Sequence, residues 1–146
     1  NEALKTGSDE DKRFAVAMFD CNNLKEINDN MGHDKGDIYL QTACTLICKV
    51  FAHSPVFRVG GDEFICILRN QDLDDRVDLL KLFDERAGTI NTFAENKWNK
   101  VSIALGISEY DPERDKCVED VARRADVLMY EHKKILKEIE RKNRES

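Results

Sequence analysis

The chain has 146 residues, 41% of them hydrophobic and 36% charged, a composition that excludes a disordered or collagen-like segment and fits one domain. No apolar run reaches the ~18 residues of a membrane span, and no signal-peptide pattern opens the chain. With 29 acidic against 23 basic residues and a net charge of −6, the body lacks the clustered Lys and Arg of a general nucleic-acid binder. A phosphorylated ligand held through a divalent cation stays open, because carboxylates need only converge on the cation.

Residues 1–13 are polar and charged, which predicts the frayed end of a helix and a turn left from a truncated N-terminal segment. The domain proper is expected over 14–146. Phe14 to Phe19 is an apolar run of strand length that stops abruptly at Asp20. A short helix is predicted around Leu24 to Asn30, broken at Gly32. A second starts near Asp34, with Ile38, Leu40, Ala43, Cys44, Ile47 and Val50 at three- and four-residue steps, and Pro55 marks its end. PVFRVGGDEFICIL predicts a β-hairpin with Gly60-Gly61 at the bend.

From Asp72 to Asn96, Val77, Leu80, Phe83, Ala87, Ile90 and Phe93 recur at helical spacing. Val101 to Ile107 predicts another strand, after which Asp111-Pro112 turns the chain. Val118 to about Arg141 predicts a last helix with Val121, Ala125, Leu128 and Met129 on its apolar face. The order βααββαβα, with a hairpin amid crossover helices, implies an α/β fold whose sheet is mixed or antiparallel. The five cysteines form no CxxC pair. Cys44 and Cys48, four apart on a helix, suggest half a zinc site, but no second ligand pair accompanies them. Buried free thiols are the better reading.

The chemistry begins with Asp20, an acid at the end of a buried strand, where a rigid backbone suits cation binding. Taken alone, Asp20 is better read as a solvated acid in a turn. The second signal is Gly60-Gly61-Asp62-Glu63 at the hairpin bend. Glycines permit positive φ and close approach of a ligand, and two acids follow at once. If the hairpin lies beside the first strand, Asp20 and Asp62 converge. Two hard oxygen ligands with open positions suit Mg²⁺ or Mn²⁺ carrying a triphosphate.

FRVGGDEF, preceded by FDCNNLKEINDNMGHDKGD and followed by VSIALGIS and ADVLMYEHK, strongly resembles the GGDEF family of diguanylate cyclases over nearly the whole chain. The resemblance implies a nucleotidyl-cyclase or polymerase-palm-like fold, a mixed, largely antiparallel sheet flanked by helices. It implies GTP as substrate and the joining of two GTP into cyclic di-GMP with loss of two pyrophosphates. Two Mg²⁺ or Mn²⁺ ions per active site are implied as cofactors, and a second GGDEF protomer as partner in a transient antiparallel homodimer. It further implies bacterial second-messenger signalling from the cytoplasm, under an N-terminal sensor domain missing from this chain. Neither nucleic acid nor direct membrane contact is expected of the domain.

Carried over residue by residue, Asp20 and Asp62 become metal-binding carboxylates, with the Cys21 carbonyl beside them. Glu63 is the motif's second acid, a metal ligand or a positioning group. The amides of Asn22, Asn23, Leu24 and Lys25 would cup the β- and γ-phosphates at a helix N-terminus. The Lys25 side chain would reach those phosphates, unless it is simply an exposed helix lysine. Gly60 and Gly61 would let the substrate approach closely. Asn28 and Asp37 match the guanine-reading pair, Asp37 being also a candidate helix cap. His33 is expected to be structural, and Arg58 to brace the hairpin.

Two departures accompany the match. Lys133 matches the family's phosphate-binding lysine, but Lys137 stands where an arginine after glycine is usual, keeping charge and losing the bidentate fork. The product-inhibition RxxD is absent, Phe51 and Ser54 occupying its place. The competing expectation is a degenerate GGDEF module that binds GTP and regulates a neighbour without catalysis.

Overall fold

The computed structural model describes residues 13–145; all but Arg13 of the frayed segment expected over residues 1–13 lies outside them. The apolar run forms β1 (Ala15–Cys21), whose seven residues are all buried. Two helices follow, α1 (Leu24–Met31) and α2 (His33–Val50), then β2 (Val56–Arg58) and β3 (Glu63–Leu68). Next come α3 (Asn70–Asp74), α4 (Arg76–Phe93), β4 (Ile103–Glu109) and α5 (Val118–Glu145).

The strands lie in the order β2-β3-β1-β4, and each neighbouring pair is antiparallel. This is a split βαβ arrangement, in which each crossover through helices returns to the same sheet. β1 sits in the interior and is covered on both faces, which is why its sequence does not alternate. Ala15, Ala17, Phe19 and Cys21 face the α1, α2 and α4 side, while Val16 and Met18 pack with Val121, Ala125 and Met129 of α5. A Cβ at Gly106 of β4 would run into the α5 main chain at Ala125, Leu128 and Met129. Glycine there lets α5 rest directly on the strand.

Several elements differ from the sequence expectation. The helix predicted over 72–96 is two helices divided at Asp75. The Arg76 guanidinium donates to the Leu73 carbonyl at 2.7 Å, taking an acceptor at the break. The last strand lies two residues further on than predicted. α5 runs past Arg141 to Glu145, laced by Arg141–Glu138, Arg141–Glu145 and Arg144–Glu140 ion pairs at helical spacing. In α2 the buried face includes Tyr39, whereas Ile38 is 37% exposed. The thiols are free but not uniformly buried: Cys21 and Cys66 are, Cys44 and Cys117 only in part, and Cys48 is exposed.

Candidate functional site

Asp20 is the penultimate residue of β1, opposite Glu63 on β3 and Ala104 on β4. One residue on, the Cys21 N–H donates to the Asp62 carbonyl at 2.8 Å. The hairpin therefore lies beside β1, and the acids at 20, 62 and 63 share one end of the sheet. Arg58 braces the bend, its Nε donating to the Gly60 carbonyl at 3.2 Å and its Nη2 to that of Gly61 at 2.6 Å. Neither Gly60 nor Gly61 takes the left-handed φ that the glycine pair suggested. At Gly61 a Cβ would meet nothing, so what glycine leaves there is open space rather than an unusual turn.

The electrostatics are those of crowded carboxylates. Asp62 has a raised pKa, mainly from burial and then from the Asp20 charge. Glu63 is raised by burial, then by Asp20 and Asp62. Against them stands Lys133 of α5, whose Nζ donates to Asp20 Oδ2 at 2.8 Å. That hydrogen bond holds the Lys133 pKa above the ordinary lysine value. Asp20 Oδ1 is buried and has no hydrogen-bond partner among the described residues. An orphaned carboxylate oxygen costs free energy unless a donor or cation reaches it. Burial, with Asp20 and Asp62 adding to it, pushes the Cys21 thiol up to about 12, so at neutral pH it is no nucleophile.

Beyond β1 the chain turns through Asn22 and Asn23 into α1. Asn23, the N-cap residue, has a left-handed φ of 68°. Its Nδ2 donates to Glu140 at 3.3 Å. Asn22 is 3% exposed, and its N–H donates to the Ser102 carbonyl at 2.8 Å. A cleft of about 490 Å³ is lined by Cys21, Asn23, Leu24, Lys25, Asp62, Lys133 and Lys137, with part of α1. Seven of the residues singled out in the sequence meet there. A larger groove of about 760 Å³ lies on the other side of the Asn22–Asn23 turn, but neither Asp20 nor Asp62 lines it. Asp62, Lys133 and Lys137 line the smaller cleft and not the larger groove.

Not every candidate lines that cleft. Asp20, Asn22, Asn28, Asp37, Glu63, Gly60 and Gly61 do not, and Asp20 meets it only through its partner Lys133. Asn28 packs on α2 where Gly36 lacks a side chain; a Cβ at Gly36 would collide with Asn28 Oδ1. That fit puts the Asn28 amide against Gly36, the residue before Asp37 in α2. Asp37 is exposed within α2 rather than at its cap, which is Gly32. Among the described residues no three Asp, Glu, His or Cys side chains form a ready-made ion cage. Asp20 and Asp62 still fit a hard cation of the Mg²⁺ kind, which takes one or two carboxylates and fills its remaining positions with water and phosphate oxygens. The buried, unpaired Asp20 oxygen supports that fit. Tyr39, Ser102 and Glu140 also reach the turn, and sequence spacing gave no sign of them.

Comparison with known proteins bears on this site. The family model described as "Diguanylate cyclase, GGDEF domain" matches residues 1–138. A diguanylate cyclase of Vibrio cholerae is 33% identical over 122 residues, 83% of this chain and 37% of that protein. The bifunctional diguanylate cyclase/cyclic di-GMP phosphodiesterase MucR of Pseudomonas aeruginosa is 28% identical over 90% of this chain and 19% of its own length. The chain thus spans well under half of either relative. The solved active GGEEF domain of a diguanylate cyclase from Vibrio cholerae superposes with a TM-score of 0.70 and 30% identity, covering 84% of this chain and 77% of that one.

Proposed function

The chain belongs to the GGDEF domain family of diguanylate cyclases, and on that premise we propose that it condenses two GTP molecules into cyclic di-GMP with release of pyrophosphate. The observation that carries this reading is the shared cleft. Asp62 and the Asn23–Lys25 turn meet there under Lys133 and Lys137, with Asp20 paired to Lys133.

In this reading Asp20 and Asp62 hold the divalent cations, beside the Cys21 carbonyl. Bound there, Mg²⁺ or Mn²⁺ neutralises phosphate charge and lowers the pKa of the attacking 3′-hydroxyl. The main-chain amides of the turn into α1 bind the β- and γ-phosphates, where unpaired donors and the helix dipole favour anions. Lys25, Lys133 and Lys137 add charge along the same phosphates. Asn28 and Asp37 take the guanine edge, a carboxylate accepting from both N1–H and the 2-amino group. Asp62 or Glu63 takes the proton of the attacking 3′-hydroxyl. Two protomers face one another, each presenting its 3′-hydroxyl to the other's α-phosphate.

Incubation with Mg²⁺ and GTP, followed by chromatographic detection of cyclic di-GMP, tests the proposal. Product that depends on the metal supports it, and GTP binding without product refutes turnover. That second outcome is the non-catalytic module, which one departure favours: Lys137 stands where the family has an arginine after glycine.

A further inference from the structure

We propose that Tyr39 is a positioning residue for the phosphate-binding turn, acting through the peptide unit between Asn22 and Asn23. The inference rests on the reading of that turn as the triphosphate site. Tyr39 lies in α2, 2% exposed, with its ring in the apolar core. Its hydroxyl donates to the Asn22 carbonyl at 2.7 Å, the Ser102 carbonyl at 2.9 Å being the competing acceptor. The same oxygen accepts the Ser102 N–H at 3.2 Å. The ends of β1 and α2's core face are thereby joined through one oxygen atom.

The consequence follows from peptide geometry. In a trans peptide the carbonyl of one residue and the N–H of the next lie in one plane and point in opposite directions. Holding the Asn22 carbonyl inward on Tyr39 therefore turns the Asn23 N–H outward. That N–H has no hydrogen bond among the described residues, and Asn23 lines the cleft it shares with Lys25, Asp62, Lys133 and Lys137, as well as the larger groove. Asn23 also holds its left-handed φ of 68° although it is not glycine, a conformation that persists only when its surroundings enforce it. The buried hydroxyl is the part of those surroundings that reaches the turn from α2. Two residues earlier the same helix carries Asp37, so α2 would present the base reader and brace the phosphate turn together.

The test compares Tyr39→Phe with the unmodified chain by calorimetric titration with GTP, inorganic tripolyphosphate and guanosine. Loss of the buried hydroxyl takes the donor away from the Asn22 carbonyl, so affinity for GTP and for tripolyphosphate should each fall about tenfold. Guanosine, which has no phosphate, should bind both proteins alike. An equal loss for guanosine and GTP would make Tyr39 a general structural residue, and no loss for either anion would remove it from the site. If the unmodified chain binds guanosine but neither anion, the phosphate reading itself is at fault. Should Tyr39→Phe fail to fold, hydrogen exchange in the unmodified protein decides. The Asn23 amide must exchange freely and become protected by tripolyphosphate; protection without the anion overturns the proposal.

Discussion

Lys133 Nζ lies 2.8 Å from Asp20 Oδ2 and joins α5 to the end of β1 across 113 residues of sequence. The aspartate side chain is 7% exposed and the lysine side chain 25%. In the protein without ligand, a lysine expected on phosphates is thus the counter-ion of a carboxylate expected on the cation. Both partners face new demands once a nucleotide and its metal arrive.

Lys133→Met should destabilise the metal-free protein by roughly 1–3 kcal/mol, because a buried carboxylate loses its ion partner. Mn²⁺ should restore part of that loss in the variant and add less to the unmodified chain. Thermal melts with and without Mn²⁺ decide the matter. Identical melting of both metal-free proteins would show that Asp20 does not depend on Lys133.

Asp62→Asn should abolish cyclic di-GMP formation while leaving the fold intact. Asp62 has a folded pKa above its ordinary 3.8, so ionisation is harder in the folded than in the unfolded state. The unfolded chain gives up its proton first, and stability is lost as pH rises from 3.8 through the raised folded value. Above that value the loss is constant. The variant lacks this term, so its melting temperature should match or exceed that of the unmodified chain at neutral pH, the two converging in acid. Turnover by the folded variant would remove Asp62 from the reaction.

Asp37→Ala should weaken GTP binding by roughly 10- to 100-fold, the cost of a charged hydrogen-bonding partner, and leave ATP binding nearly unchanged. Asp37 is exposed, so the substitution should not disturb folding. Equal effects on the two nucleotides, measured by titration, would separate Asp37 from base recognition.

The two-site reaction makes specific activity depend on protein concentration. For this chain alone the second site is present only at bulk concentration, far below the millimolar value that a short tether supplies. Two bodies of net charge −6 also repel one another, partly screened at physiological salt. Activity per mole should rise as protein is concentrated, and a parallel coiled coil fused ahead of Asn1 should raise it at low concentration. A flat profile over a roughly hundredfold dilution, without a stable dimer, contradicts the two-site scheme.

The main features legible in sequence were those set by local pattern. The apolar run ending at Asp20 becomes β1, and the glycine-rich bend followed by acids becomes the braced hairpin beside it. What sequence did not reveal depends on contacts between distant segments. Tyr39 meets Ser102 across 63 residues, and Asn23 meets Glu140 across 117. Neither pair has a spacing to detect. Periodicity placed Ile38 on the apolar face of α2, but the buried side chain there is Tyr39, whose hydroxyl reaches the Asn22 carbonyl. The break at Asp75 was hidden because helical spacing continues through it.

Gly106 gives α5 a fulcrum. The helix touches β4 main chain to main chain around Ala125 and Met129, so a small tilt would pivot there rather than slide. Helical rise puts Lys133 about 6 Å beyond Met129 and Glu140 about 16 Å beyond it. A tilt of a few degrees therefore displaces Glu140 nearly three times as far as Lys133. Such a tilt would strain the Asn23–Glu140 contact at the far end of the arm more than the Lys133–Asp20 pair near the pivot. Bulk added at Gly106 would shift the pivot and move both at once.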